Sequence, residues 1–253
     1  MEGESFYVFG RNAVLEVLRS RPLSVQKVWV GREVEGRAFE ELRRLCRESS
    51  VPLVRAERSF FAQFERRGED HHQGVVALVL PWGFRDLAWL VEALSERERA
   101  LLAILDHLED PQNLGAVGRS LLAFGGFALA MPSRRGSPIT PSALRASAGA
   151  LAHLEVVRVG SLLSLVEALK SSVPSLWVYG LELEGELVLG SFELPPRCAF
   201  VVGSEGRGIS RSLRRACDGL IRIPISAVGS VSSLNASVAA ALAFYEWHKL
   251  HGR

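Results

Sequence analysis

The sequence predicts an α/β protein whose larger, C-terminal part is a parallel sheet with helices on both faces. From residue 101 onward, short continuous apolar segments alternate with segments of helical spacing. Uninterrupted apolar segments are typical of strands buried on both faces, and their alternation with helices favours parallel pairing. The Pro and Gly of "PWGFRD", at 81–86, indicate a linker that follows a smaller α/β unit.

The elements follow in chain order. Residues 1–80 are expected to form the small domain, 81–99 the linker and 100–253 the main domain. The small domain has helical patterns at "NAVLEVLRS", "RAFEELRRLCRESS" and "SFFAQFER", and strand patterns at "KVWV", "VPLVRA" and "QGVVALVL". A connecting helix is predicted at "LAWLVEALSERERA". The main domain has predicted strands at "LLAILDH", "FALAM", "LEVVRV", "SLWVYGL", "CAFVVG" and "LIRIPI". Its helices are predicted at about 113–124, 141–150, 161–171 and 210–217, and from about 233.

Composition excludes some classes of protein. Apolar residues make up 48% and charged residues 23% of the 253, the profile of a globular chain. No apolar run is long enough for a membrane span, and the acidic start is unlike a signal peptide, so a cytoplasmic location is expected. The three cysteines, Cys46, Cys198 and Cys217, lack zinc or disulfide spacing and are interpreted as reduced, structural thiols.

Charge alone does not indicate a partner, because the formal net charge is only +2. Arginines in the small domain have two possible interpretations: a basic surface, or solvated helix faces with neighbouring glutamates. They are Arg11, Arg43, Arg44, Arg47, Arg66 and Arg67.

The first chemical motif is "LDHLEDPQNLGAVGRSLLAFG", at 105–125. A strand ends, a polar turn follows, and a helix begins near Asn113. Arg119 lies six residues later, so the two side chains are not stacked on one helix face. Gly115 and Gly118 lower helix propensity, which indicates either a close ligand or only tight helix packing.

The second motif is "FVVGSEGRGIS", at 200–210, in which an apolar strand runs into a glycine-rich loop. Glycines at 203, 206 and 208 allow backbone N–H groups to converge on a ligand. The order differs from a dinucleotide fingerprint, and Glu205 would repel a triphosphate. A purely structural turn is the alternative.

The third motif is "IPISAVGSVSSLNAS", at 223–237, which consists almost entirely of small side chains before the last helix. Pro224 ends a strand, Ser232 or Ser233 is expected to cap the helix, and Asn235 is a poor helix former without a separate task.

The three motifs place an amide, an arginine, a carboxylate and a hydroxyl at strand ends, where ligands of parallel sheets bind. Neither a nucleophile–His–Asp arrangement nor a metal cluster is evident, and metal binding at His71 and His72 is not favoured. An arginine-centred site of this kind indicates a phosphate-bearing substrate and a cofactor that supplies the reactive group.

Together these motifs resemble the SpoU/TrmH family of RNA ribose 2′-O-methyltransferases, of the trefoil-knot superfamily. The family's Asn-x-Gly-x-x-x-Arg, Gly-x-Glu-Gly-x-Gly and Ser-Leu-Asn motifs are all present, in order. "FGRNAVLEVL" and "HHQGVVAL" resemble the family's small substrate-binding domain. This two-domain form is similar to bacterial 23S ribosomal RNA methyltransferases.

The resemblance implies a knotted C-terminal segment and a bent S-adenosylmethionine held largely by backbone groups. The implied cofactor-binding residues are Tyr179, Gly180, Leu181, Val202, Gly203, Glu205, Gly206, Gly208, Ile223, Pro224, Ile225, Ser232, Ser233 and Leu234.

It also implies catalytic roles for Asn113, Arg119, Glu205, Ser233 and Asn235. Arg119 is expected to bind the adjacent phosphate and to stabilise alkoxide charge, with a direct general-base role as the competing account. RNA is expected to contact Arg11, Asn12 and Arg119. A homodimer is implied, and Phe244, Tyr245 and Trp247 of the last helix suit either its interface or the core.

The expected function is therefore methyl transfer to a ribose 2′-hydroxyl, with 23S ribosomal RNA as the expected substrate and no metal or membrane. Transfer RNA is the alternative substrate. A non-catalytic RNA-binding protein of the same fold and a nucleotide-dependent metabolic enzyme are the alternative functions.

Overall fold

Continuous apolar segments become buried strands, as their composition requires. All six residues of "ALLAIL" are buried, and so are five of the six in "RCAFVV". The computed structural model describes residues 5–65, 72–80, 83–133, 139–226 and 233–252. Its strands are β1 Phe6–Phe9, β2 Val25–Gly31, β3 Leu53–Ala56, β4 Val75–Val79, β5 Ala100–Leu105, β6 Ala128–Pro132, β7 Glu155–Val159, β8 Trp177–Leu181, β9 Leu187–Val188, β10 Arg197–Val202 and β11 Gly219–Arg222. Its helices are α1 Arg11–Ser20, α2 Gly36–Glu48, α3 Arg58–Glu65, α4 Leu87–Ser95, α5 Pro111–Ala123, α6 Pro141–Ala146, α7 Leu162–Ser172, α8 Arg211–Ala216 and α9 Ala236–His251.

The chain forms two units, of which the first comprises Met1–Gly83 with Ile139–His153. Its sheet has the order β1-β4-β2-β3. Strand β4 runs antiparallel to β1 and β2, and β2 runs parallel to β3. The predicted division of the chain did not include 139–153 in this unit.

Segment 139–153 is held to α1 by side-chain contacts. His153 Nε2 lies 2.6 Å from Glu16 Oε2, and Arg21 Nε donates to the Ala152 carbonyl over 2.8 Å. A side chain at Gly149 would lie 2.5 Å from Glu16 Cβ, so glycine permits this close approach. The expected single helix at 141–150 is instead the short α6 followed by a 3-10 turn at Ala150–Ala152.

In the first unit, glutamate side chains lie next to arginines of the predicted basic surface. Arg44 pairs with Glu48 at 2.8 Å, and Arg43 lies 3.9 Å from Glu40. Two members of the predicted set, Arg66 and Arg67, lie outside the described residues. At α2 the interpretation as helix faces with neighbouring glutamates therefore describes these arginines better.

The second unit comprises Phe84–Pro138 and Leu154–Arg253. Its seven strands have the order β7-β6-β5-β10-β8-β11-β9, and every pairing between them is parallel. The α/β class with a parallel sheet and a small N-terminal domain is thus confirmed. The trefoil knot stays a prediction, and residues 227–232 of its third motif lie outside the described residues.

Helix α9 packs against α5 in the second unit. Phe244 and Trp247 are buried, whereas Tyr245 is half exposed. In the part of the chain that is described, no helix is both long and apolar enough to cross a membrane.

Candidate active site

Two loops begin side by side because β5 and β10 are neighbours in register. Leu105, the last residue of β5, pairs with Val202, the last residue of β10. Asp106 N then donates to the Val202 carbonyl over 2.9 Å. The first and second motifs, nearly 100 residues apart in the chain, therefore leave the same edge of the sheet together.

The loop after β10 is a tight turn that requires glycine. A Cβ on Gly203 would lie 2.2 Å from the Gly208 carbonyl carbon, so only glycine fits there. Gly208 has a left-handed φ of 62°, and its N–H donates to the Ser204 carbonyl over 2.8 Å. Gly206 has open space around it. The loop is therefore closed on itself at its base and open at its tip.

Two carboxylates from neighbouring strand ends hold the far side of this loop. Asp106, which is buried, accepts from Ser210 N over 2.7 Å. Glu182, one residue beyond β8, accepts from Ile209 N over 2.9 Å. Since both acceptors follow strands of the central sheet, the rigid sheet sets the position of the loop.

A cluster of three side chains joins all three motifs; we call it the Asn–Glu–Asn cluster. Asn113 Nδ2 donates to Glu205 Oε1 over 3.1 Å, and Asn235 Nδ2 donates to Asn113 Oδ1 over 3.0 Å. Asn235 Nδ2 also donates to Glu205 Oε1. One carboxylate oxygen thus accepts from both amides, and three chain segments are fixed to each other.

Asn235 has a second task as the N-cap of α9. Its Oδ1 accepts from Ser237 N over 2.9 Å and from Ser237 Oγ over 2.5 Å. The expectation that Ser232 or Ser233 caps this helix was wrong for Ser233, because the helix begins three residues later. Ser232 lies outside the described residues.

A first cavity of about 270 Å³ lies between the loops that follow β8, β10 and β11. Its wall contains ten of the predicted cofactor-binding residues: Leu181, Val202, Gly203, Glu205, Gly206, Gly208, Ile223, Ile225, Ser233 and Leu234. Glu182, Leu183, Ser204, Arg207, Ile221, Ala236 and Ala239 complete its described wall.

A second cavity of about 570 Å³ adjoins the first. Its described wall consists of His107, Leu108, Glu109, Asp110, Asn113, Ser204, Glu205, Gly206, Arg207 and Asn235. Residues 204–207 line both cavities, so a single turn of chain separates them. All three members of the Asn–Glu–Asn cluster line the second cavity.

Some predicted residues lie elsewhere. Tyr179 is buried among aromatic rings, 5.8 Å from Phe192 and 6.3 Å from Phe200 between centroids, and burial raises its pKa to about 12. Gly180 packs against Leu220, and neither Tyr179, Gly180 nor Pro224 lines a described cavity wall. Their cofactor-binding role stays a prediction.

Arg119 is exposed on α5. It makes no hydrogen bond or ion pair with any described residue, and it lines neither cavity. Arg11 and Asn12 are exposed in the first turn of α1, where Arg11 N donates to Gln73 Oε1 over 3.2 Å. The three residues are therefore accessible, and their contact with RNA stays a prediction.

Sequence reasoning missed Asp106, Glu182, His107 and Arg207. Asp106 lies near the end of the predicted strand "LLAILDH", and Glu182 follows the predicted strand "SLWVYGL" by one residue. Parallel sheets bind ligands at such strand ends, so both positions carried a usable signal. Among the described residues, no group of three or more His, Cys, Asp or Glu side chains could hold a metal ion. His71 lies outside the description, and His72 accepts from Gly74 N over 2.9 Å in a structural turn.

A parallel sheet with cavities at its strand ends is the arrangement in which α/β proteins bind their ligands. The model of the SpoU rRNA methylase family matches residues 100–245, and the model for RNA 2′-O ribose methyltransferase substrate binding matches residues 7–81. The chain belongs to the SpoU/TrmH family of RNA methyltransferases. The resemblance inferred from the three motifs is confirmed.

Relatives match over almost the whole chain. The TrmH family tRNA/rRNA methyltransferase YacO of Bacillus subtilis is 34% identical, over 98% of this chain and 97% of the relative. A tRNA/rRNA methyltransferase of Mycobacterium leprae is 38% identical, over 96% of this chain and 77% of the relative.

Solved structures share the fold. The SpoU methyltransferase AviRb of Streptomyces viridochromogenes, solved in complex with AdoMet, has a TM-score of 0.78 at 24% identity, over 97% of this chain and 90% of that one. An RNA methyltransferase of the TrmH family from Porphyromonas gingivalis has a TM-score of 0.74 at 25% identity, over 97% and 90% of the two chains.

Proposed function

We propose that this protein transfers a methyl group from S-adenosylmethionine (AdoMet) to a ribose 2′-hydroxyl of RNA. The observation that carries the proposal is the pair of cavities with the shared wall 204–207, at whose junction the Asn–Glu–Asn cluster lies. Transfer between two bound molecules needs neighbouring sites and a fixed geometry where they meet.

The first cavity suits AdoMet by its chemistry. Ile223, Ile225 and Leu181 offer apolar surface for a planar base, and the glycine loop offers main-chain donors and acceptors. Glu182 and Glu205 place carboxylates in the same wall, which complement the cationic groups of AdoMet. When bound, AdoMet supplies a methyl group on a positively charged sulfur.

The second cavity would receive the target nucleotide. Asn113, Glu205 and Asn235 line it and are already held by one another, so they would meet a ribose without reorganisation. The methyl group that AdoMet would supply would replace the 2′-hydroxyl proton, and that proton would have to pass to a neighbouring acceptor.

Arg119 would act on that hydroxyl from the RNA side. We favour a guanidinium that binds the adjacent phosphate and stabilises negative charge on the 2′-oxygen, since arginine does not readily deprotonate. A phosphate oxygen then accepts the proton. Exposure of Arg119 and the lack of a competing acceptor among the described residues support this role, and the general-base account remains the alternative.

Ribosomal RNA, in particular 23S ribosomal RNA, is our proposed substrate. The two-domain organisation and the rRNA methylase family description support it. The relatives' names include both tRNA and rRNA, so transfer RNA is the second candidate. A cytoplasmic location belongs to the same proposal.

A homodimer is our proposed assembly. Val238, Leu242 and Tyr245 follow the i, i+4, i+7 spacing of one helix face and are 46%, 40% and 49% exposed. An apolar stripe of this kind on α9 supports an interface with a second copy of the chain.

Methyl-labelled AdoMet, offered with separate unmodified ribosomal and transfer RNA pools, tests the proposal. We expect label in 23S ribosomal RNA, at one ribose that resists alkaline cleavage on its 3′ side. Label in transfer RNA alone would replace the substrate but keep the reaction. If calorimetry shows no AdoMet binding, the protein is a non-catalytic RNA-binding member of the fold. Preference for a nicotinamide or triphosphate nucleotide would instead indicate a metabolic enzyme.

A further inference from the structure

His107 has a backbone conformation that is uncommon for residues other than glycine. Its φ is 57°, in the left-handed region. Two of the other non-glycine residues with positive φ, Ser50 and Ala148, lie within two residues of a helix end, and Gln73 lies in a turn before β4. His107 instead follows β5 by two residues and lines the second cavity. Strain of this kind concentrates at functional sites.

The imidazole of His107 lies beside a buried carboxylate. Its Nε2 lies 3.5 Å from Asp106 Oδ1, and the Asp106 side chain is only 8% exposed. The other Asp106 oxygen accepts from Ser210 N over 2.7 Å, which ties the carboxylate to the opposite loop. The His107 side chain keeps 31% exposure. The imidazole is therefore near a fixed carboxylate and accessible to a ligand.

The charges of the second cavity indicate which part of a nucleotide would meet His107. Glu109, Asp110 and Glu205 line the cavity, against the single guanidinium of Arg207 among its described residues. A phosphate would be repelled by three carboxylates, whereas an uncharged base would not. Planar side chains such as imidazole recognise unstacked RNA bases by stacking and by hydrogen bonds to their edges.

We propose that His107 contacts the base of the target nucleotide in the second cavity and contributes to the choice of nucleotide. The inference rests on the proposed function and deepens it, since it concerns the substrate side of the same reaction. The imidazole acts on binding and discrimination, and the Asn–Glu–Asn cluster acts at the ribose.

A double-mutant cycle, which combines variants of the protein with an altered RNA, tests this contact. The probe is a synthetic RNA fragment that contains the mapped nucleotide, together with the same fragment carrying an abasic ribose there, which keeps the 2′-hydroxyl. The variants are His107→Asn, which tolerates the left-handed backbone, and His107→Gly, which adopts it freely. AdoMet affinity, measured by calorimetry, checks that the first cavity is intact in each variant.

We expect removal of the base to lower kcat/KM of the wild type about tenfold, a typical effect for one stacked base. With the complete fragment, both variants should have a kcat/KM lowered by a similar factor. In the variants, the abasic fragment should then react nearly as well as the complete one. If the losses multiply independently, His107 does not contact the base and the inference is overturned. A wild type that binds AdoMet but methylates no RNA would overturn the proposed function itself.

Discussion

Asn235 and Asn113 meet with a defined polarity, although 122 residues separate them. Ser237 donates twice to Asn235 Oδ1, so the amide must present its Nδ2 to Asn113 Oδ1. Asn113 must then present its own Nδ2 to Glu205. The first turn of α9 therefore determines the orientation of a side chain on α5.

Asn235→Asp should separate capping from catalysis. Aspartate caps a helix as well as asparagine, so the start of α9 should be kept. The lost hydrogen bonds to Asn113 and Glu205 should lower the free energy of unfolding by about 1–3 kcal/mol. The new carboxylate donates nothing and faces Glu205, so methyl transfer should fall about 100-fold or more. Chemical denaturation and labelled-methyl transfer measure the two effects.

Asp86→Asn is the matched control for Asn235→Asp. Asp86 caps α4 and accepts from Trp89 N over 2.9 Å, outside both cavities. It should leave methyl transfer unchanged. Full activity of Asn235→Asp would show that the cluster has no catalytic role.

Gly203→Ala should disrupt the loop that separates the cavities. The added methyl group would lie 2.4 Å from the Gly208 carbonyl oxygen, and backbone cannot yield as a flexible side chain does. We expect a loss of about 1–3 kcal/mol in stability and weaker AdoMet binding. In Gly206→Ala nothing lies within 4 Å of the new atom, so its stability should match the wild type. Equal stability of the two variants would contradict the geometry.

Arg119→Ala should leave the fold intact and remove activity. Because Arg119 is exposed and has no partner among the described residues, the free energy of unfolding should stay within about 0.5 kcal/mol. AdoMet affinity should be unchanged, while the rate of transfer falls by about 100-fold or more. Arg119→Lys keeps the positive charge but loses the planar guanidinium with its paired donors. Its rate of transfer should lie between those of the wild type and Arg119→Ala. A wild-type rate of methyl transfer in Arg119→Ala would overturn the proposed mechanism.

Leu242→Glu should convert the proposed dimer into monomers, because it places a charge within the apolar stripe of α9. Sedimentation velocity gives the mass directly. Leu23→Glu is the control, since Leu23 is 95% exposed in the first unit and outside the stripe. A wild-type protein that sediments as a monomer would overturn the homodimer.

Alkaline pH should destabilise the protein through its buried thiols. Burial raises the pKa of Cys46 from 9.0 to about 11 and that of Cys217 to about 12. Above pH 9 the unfolded chain releases these protons while the folded chain retains them. The contribution of these thiols to the free energy of unfolding is therefore fully present below pH 9 and is lost as the pH rises from about 9 towards 12. Denaturation midpoints across this range measure the fall, which should shrink in Cys46→Ala relative to the wild type.

All three cysteine thiols should be unreactive in the folded protein, because the thiolate is the nucleophile and a raised pKa keeps the thiol protonated. Titration with an aromatic disulfide at pH 8 should detect three thiols only after unfolding. Rapid reaction of the native protein would contradict the structural interpretation of Cys46, Cys198 and Cys217.

The sequence predicted the features that depend on residues close together in the chain. Apolar segments such as "LLAILDH" predicted buried strands, and the position of Gly203 and Glu205 after a strand predicted a ligand loop. Periodicity is a property of neighbouring residues, so the main elements could be found without knowing their partners.

Long-range relationships could not be read in the same way. Nothing local to Asn113 or Asn235 shows that they touch, because their contact depends on how α9 packs against α5. Likewise, the association of His153 with Glu16 joins parts of the chain that are 137 residues apart. The sequence predicted Ser232 or Ser233 as the cap of the last helix, and only the observed start of α9 shows that Asn235 has this role.

The single turn 204–207 between the cavities has a thermodynamic consequence. A ligand that changes the shape of this turn from one side changes the surface that the other ligand meets. If bound AdoMet changes RNA affinity by a given factor, bound RNA must change AdoMet affinity by the same factor. The reason is that the free energy of the ternary complex does not depend on the order of assembly. Two dissociation constants for each ligand, with and without the other, would quantify how strongly four residues couple donor and acceptor.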